Sequence, residues 1–199
     1  MKKLAIVLSL VLANASVVAE EIAITEETHS REFYLMMGAG YNTDNSTNAL
    51  LTLGGQLYGN WSLESTMMFY TNDYKSDDGV GNTMKNDAHT FIFTIAPVYT
   101  YSLTETFDVY GKVGLQHRRS RVETTFSSKD KKDQKSTGTD SDLGYTYGFG
   151  VQYTSPQPFI ADSHLRIRGG LDWNKDFNGN DGWGTSDKAT YGLQAGLTF

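Results

Sequence analysis

Leu143 to Tyr153, LGYTYGFGVQY, carries Leu143, Tyr145, Tyr147, Phe149, Val151 and Tyr153 at every second position, with Gly144, Thr146, Gly148, Gly150 and Gln152 between them. Successive side chains of a β-strand point to opposite faces, so the stretch reads as a strand with one apolar, aromatic-rich face and one face of small and polar groups. A soluble strand of this pattern turns the apolar face inward. A strand in the wall of a membrane barrel turns it outward to lipid and leaves the small, polar face to the lumen. Alternation alone does not separate the two.

Seven further segments carry the same period. Phe33, Leu35, Met37, Ala39 and Tyr41 alternate with Tyr34, Met36, Gly38 and Gly40, and Leu51, Leu53 and Leu57 with Thr52, Gly54, Gln56 and Tyr58. Trp61, Leu63, Met67 and Phe69 stand opposite Ser62, Glu64, Thr66 and Tyr70, while Phe91, Phe93, Ile95, Pro97 and Tyr99 stand opposite Thr90, Thr94 and Ala96. Phe107, Val109, Val113 and Leu115 face away from Asp108, Tyr110, Lys112, Gly114 and Gln116. Leu165, Ile167, Leu171 and Trp173 alternate with Arg166, Arg168, Gly170 and Asp172, and Tyr191, Leu193, Ala195, Leu197 and Phe199 with Thr190, Gly192, Gln194 and Thr198. No charge falls on an apolar face, as a lipid-facing surface requires. An arginine at outward Ala195 should therefore block assembly, and one at inward Gln194 should be milder.

The connections decide for the membrane. Gly59-Asn60, Ser102 to Thr106 and Ser155 to Ser163 are short, and between them lie the longer, polar Asn42 to Asn48, Thr71 to Asp87, Ser120 to Ser141 and Asn174 to Lys188. Short periplasmic turns alternating with longer external loops are the layout of outer-membrane barrels. The expected fold is all-β, an eight-stranded antiparallel up-and-down transmembrane barrel over residues 32–199.

The N-terminal region agrees. Lys2 and Lys3 precede the apolar run Leu4 to Leu12, which is too short to span a bilayer as a helix and reads as a secretory signal peptide. Cleavage after Ala15 or Ala19 fits the small-x-small rule. Cleavage after Ala19 makes 1–19 the signal peptide and 20–31 a short periplasmic segment. Losing Lys2 and Lys3 leaves 15 basic against 23 acidic residues, a net charge of −8, which argues against nucleic-acid binding. Cysteine is absent, which excludes thiolate metal sites, cysteine nucleophiles and disulfides. Hydrophobic residues make up only 39% of the chain although aromatics reach 13%, a mixture suited to a wall that needs apolar residues on one face alone.

Three stretches, FIFTIAPVYTY (Phe91 to Tyr101), FDVYGKVGLQH (Phe107 to His117) and YGLQAGLTF (Tyr191 to Phe199), resemble the porin-like family of small outer-membrane barrels that includes the transmembrane domain of outer-membrane protein A and outer-membrane protein X. The likeness covers about Glu32 to Phe199. It also extends to accessory colonisation factor A proteins, with no diagnostic residue to carry that narrower match. The resemblance implies a place in the bacterial outer membrane among lipid and lipopolysaccharide. It also implies recognition of Phe199 by the barrel-assembly machinery.

Six charges, Glu64, Asp108, Lys112, Arg166, Arg168 and Asp172, fall on the expected inner faces, three of each sign. Charges in a narrow lumen need partners or water. Eight strands enclose room for little more than side chains, so a structural network is the first reading. A narrow conductance for ions or small solutes is the second, kept open by the inward glycines, which leave space for water. Asn174 to Thr185 (NKDFNGNDGWGT) partly matches a calcium loop but has Thr185 where a bidentate Glu belongs, so no metal and no cofactor are expected. His117 and Ser120 face opposite ways on a strand and assemble no catalytic site, so neither an enzyme nor catalytic residues are expected, a lipid-modifying activity being the least favoured reading. Ser127 to Asp142 (SSKDKKDQKSTGTDSD) holds no apolar residue and reads as a mobile, solvated loop whose Lys129, Lys131, Lys132 and Lys135 could contact lipopolysaccharide phosphates or a host-surface ligand. The function expected is a non-catalytic surface barrel whose four external loops serve adhesion or envelope contacts.

Overall fold

The computed structural model describes residues 32–43, 46–77, 82–128, 131–177 and 188–199. Signal peptide and periplasmic segment (1–31), Lys129 and most of the calcium-like loop lie outside these residues. Eight strands follow in chain order: β1 (Phe33–Asn42), β2 (Thr47–Tyr58), β3 (Trp61–Asp77), β4 (Thr83–Ser102), β5 (Phe107–Ser128), β6 (Lys131–Ile160), β7 (Ser163–Asp176) and β8 (Lys188–Thr198). Each pairs antiparallel with the next, and β1 pairs with β8 from Tyr34↔Thr198 to Asn42↔Thr190, so the sheet closes into a barrel. Closure pairs backbone donors and acceptors that an open edge would leave bare in lipid.

The eight alternating segments form the wall, and the apolar faces turn outward. Burial along β1 alternates, with Phe33, Leu35 and Met37 exposed and Tyr34 and Met36 buried. Leu115, Phe149, Val151 and Leu193 are each more than half exposed, a surface that lipid covers and water would not tolerate. Aromatic pairs close this band at both ends. Trp61 packs tilted against Tyr99 with ring centres 5.1 Å apart and Phe107 against Tyr153 at 5.1 Å near the short turns, while near the other end Phe69 packs tilted against Phe91 at 4.9 Å and Tyr147 stacks on Trp173 at 5.3 Å. Trp61 and Phe69 are eight residues apart on β3, about 20 Å for strands tilted by some 40°, close to the height of an outer-membrane apolar band.

The external connections correct the sequence reading. Every described residue of the segment Ser120 to Ser141 is strand: β5 and β6 stay paired from Arg118↔Asp142 out to Ser128↔Lys131. Thr71 to Asp87 is likewise mostly a continuation of β3 and β4, paired to Asp77↔Thr83. The cause is the backbone, whose ladder needs no apolar face to continue once the strands leave lipid. β5 has 22 residues, while about 9–11 cross a membrane, so its hairpin with β6 stands roughly 25 Å beyond the lipid band. Ser155 to Ser163 also shortens to a turn at Ala161-Asp162, with the pairing irregular around Pro158, since proline gives no donor to the ladder.

Candidate functional site

The lumen is built from the inward positions of all eight strands. Arg168 on β7 donates to the Glu64 carboxylate of β3, and the Tyr34 hydroxyl donates to the same oxygen at 2.6 Å. The other arm of Arg168 reaches Gln152 Oε1 at 2.8 Å, and Gln152 Nε2 donates to Asp108 at 3.0 Å. The guanidinium of Arg168 also lies 4.3 Å from the centre of the Tyr110 ring, and that of Arg166 lies 4.7 Å from Tyr34, contacts that favour a cation over an aromatic face. Lys112 bonds Asp172 at 2.9 Å. Arg166 pairs with Glu32 at 3.0 Å, toward the end that carries the short turns. All six inward charges noted in the sequence thus line the lumen, and Arg166 takes its partner from outside that set.

Glycine makes the room that these side chains fill. A Cβ on Gly54 would meet the ring of Tyr34, and one on Gly170 would meet the hydroxyl of Tyr110. The space expected to hold water is therefore occupied by tyrosine, which overturns the reason given for keeping the lumen open. A second departure concerns polarity. Leu50, Met68, Tyr70 and Ile92 form an inward apolar cluster, and Met36, Ala96 and Val98 are buried beside the polar groups. This part of the lumen is packed as a core.

Above the lipid band a second cluster appears around Arg118, a residue the sequence reading assigned to no strand face. Arg118 continues the inward face of β5 past Gln116 and is only 2% exposed. It binds Asp176 at 2.9 Å, Asp142 at 2.6 Å and Asp140 at 3.2 Å, and donates to Ser120 Oγ at 3.1 Å. These contacts tie β5, β6 and β7 together where the β5–β6 hairpin leaves the barrel. Asp176 and Asn174 are inward residues of β7, not ligands on a solvated loop. The pattern was visible as alternating Gln116, Arg118 and Ser120, but it ran into polar sequence where alternation no longer marks a face.

Among the described residues no group of three or more His, Asp or Glu is placed to hold a metal. His117 bonds Ser141 at 2.9 Å on the outside, while Ser120 turns inward to Thr90 at 3.0 Å, so the two do not meet. Lys135 lies exposed on the β6 side of the hairpin, and the backbone places Lys131 and Lys132 at its start.

The family model of the OmpA-like transmembrane domain matches residues 13–161. Among solved structures, Ail, the attachment invasion locus protein of Yersinia pestis, superposes with a TM-score of 0.54 at 17% identity, covering 84% of this chain and 98% of that one. The N-terminal β-barrel domain of Pseudomonas aeruginosa OprF gives 0.52 at 14%, covering 85% and 97%, and Neisserial surface protein A gives 0.52 at 15%, covering 83% and 95%. A further structure of Ail holds the heparin analogue sucrose octasulfate. No curated protein sequence matches the chain. With its closed ring of eight strands, lipid-facing band and paired aromatic girdles, the chain belongs to the OmpA-like transmembrane domain family and is a β-barrel of the bacterial outer membrane.

Proposed function

We propose that the chain is a non-enzymatic surface protein, a plugged barrel that anchors external hairpins for adhesion or contact with the surrounding envelope. The observation that carries this reading is the filled lumen beneath a β5–β6 hairpin about twice as long as the membrane requires. The Arg118 cluster supports it by fixing the base of that hairpin on three strands. Exposed Lys135, with Lys131 and Lys132 at the start of β6, supplies the cationic part of the contact, to which Lys129 adds in sequence. Phe199, an exposed residue whose backbone pairs with that of Phe33, is the proposed contact for the barrel-assembly machinery.

The test removes the tip and keeps the base. Replacing residues 124–136 by Asn-Gly joins Glu123 to Thr137, which already face each other across the hairpin, through a two-residue turn. Cells displaying this variant are expected to bind epithelial monolayers no better than cells without the protein, while the purified barrel keeps its heat-modifiable gel migration. Undiminished binding by a folded variant counts against the reading.

A second reading, a narrow conductance, draws support from Glu64 Oε2, Arg168 Nε and Asp172 Oδ1, buried lumen atoms with no hydrogen-bond partner among the described residues. Such atoms need hydration, and a continuous file of water is what an ion path requires.

A further inference from the structure

On the outward face of β4, β5 and β6 the register sorts charge into layers. The last apolar positions are Phe91 on β4, Leu115 on β5 and Leu143 on β6. Phe93 faces His117 and Phe91 faces Arg119 across the β4–β5 ladder, and one step further from the membrane His89 faces Arg121. The next pair outward is acidic, Asp87 with Glu123. Beyond it come Lys85 and Lys135, each paired with Thr125. Strand tilt changes height by about 3 Å per strand, less than the roughly 5 Å between layers, so the order holds between the neighbouring strands β4 and β5.

The acidic layer is satisfied from both sides. Lys85 holds Asp87 at 2.8 Å and Arg121 holds Glu123 at 2.8 Å, both in solvent. Exposed pairs of this kind are weak, so the Arg121 guanidinium stays available to a better ligand. Arg119 is exposed, stands between Phe91 and Ser141, and has no acceptor among the described residues. His89 and His117 are exposed beside the two arginines.

We infer that Arg119 and Arg121, flanked by His89 and His117, form a belt that binds the phosphate groups of an outer-leaflet glycolipid. The belt begins where the apolar band ends, which is the level of a phosphorylated headgroup whose acyl chains lie against Phe91, Phe93 and Leu115. Guanidinium groups match phosphate with paired, charge-assisted hydrogen bonds. The layer of Asp73, Asp87 and Glu123 above repels a polyanion arriving from solution, whereas at the level of Arg119 the outward neighbours Phe91 and Ser141 are uncharged, and the approach along the membrane surface there meets no acid among the described residues. Lipid, and not a soluble anion, is therefore the occupant. The inference rests on the membrane placement of the barrel and deepens the envelope-contact part of the proposed function. It does not depend on the hairpin tip.

The experiment uses the full mature barrel refolded in phosphatidylcholine nanodiscs, with unfolding followed by gel mobility on heating. Bisphosphorylated lipid A is expected to raise the midpoint by on the order of 5 °C. The same glycolipid stripped of phosphate, and inorganic phosphate at equal concentration, are expected to leave it unchanged. In the Arg119→Gln, Arg121→Gln double variant the apparent affinity for lipid A should fall roughly tenfold, while Lys85→Gln with Lys135→Gln should retain it. If the double variant does not fold, Arg119→Gln alone carries the same comparison. An equal response to dephosphorylated lipid A or to inorganic phosphate, or undiminished affinity in the arginine variant, overturns the belt. Epithelial binding by the 124–136 replacement reports separately on the hairpin, so failure of one does not imply failure of the other.

Discussion

Glu64→Ala is expected to cost about 3–5 kcal/mol of folding stability, because it leaves the Arg168 guanidinium buried without its carboxylate. Arg168 is 4% exposed and Glu64 2%, so water does not replace the lost partner without opening the barrel. The Tyr34 hydroxyl loses its acceptor in the same step. Adding Arg168→Met should recover most of the loss, since replacing a buried pair by apolar groups of similar volume is often neutral or stabilising. Urea titration in lipid vesicles, read as the fraction of heat-modifiable barrel, measures both. A loss below about 1 kcal/mol for Glu64→Ala would mean that solvent reaches Arg168 freely, which a filled lumen does not allow.

Ala195→Arg is the second large effect. Ala195 lies outward on β8, between Met37 of β1 and Ile167 of β7, within the lipid band. A cation there should cost about 2–4 kcal/mol near the midplane, a large part of the roughly 5–15 kcal/mol that holds a domain folded. Thr137→Arg, exposed on the hairpin opposite Glu123, should stay within about 0.5 kcal/mol of the parent. Vesicle folding yields of the two variants side by side make the comparison, and equal yields would place β8 out of the lipid-facing wall. Gln194→Arg, which alternation alone marks as mild, is no longer so. Gln194 bonds Thr52 at 2.8 Å and faces Arg168 across the ladder, so an arginine there adds a like charge to a space already packed.

The membrane-crossing part of the fold was legible because one face of each strand must be apolar there, and a one-residue slip would turn that face into the lumen. Legibility stopped where the requirement stops. From Ser127 to Asp142 neither face is apolar, so nothing in the side chains distinguished a paired hairpin from a loop, although the backbone ladder runs almost to the tip. Arg118 was lost at that border. The apolar cluster of the lumen was hidden for the opposite reason: Met68 sits between Met67 and Phe69, and Ile92 between Phe91 and Phe93, runs in which both faces are apolar and alternation carries no contrast. The inward glycines showed where space exists. Only the structure shows Tyr34 and Tyr110 lying in it.

The central claim is that this barrel is an anchor with a filled lumen. Planar-bilayer recording of the purified, heat-modifiable protein tests it most directly. No stable unitary conductance is expected of the parent chain, because Arg168, Glu64, Tyr34 and Tyr110 close the path with mutually bonded or stacked side chains. A stable unitary conductance in the parent, altered in size by Glu64→Ala, would contradict it and establish the lumen as a channel.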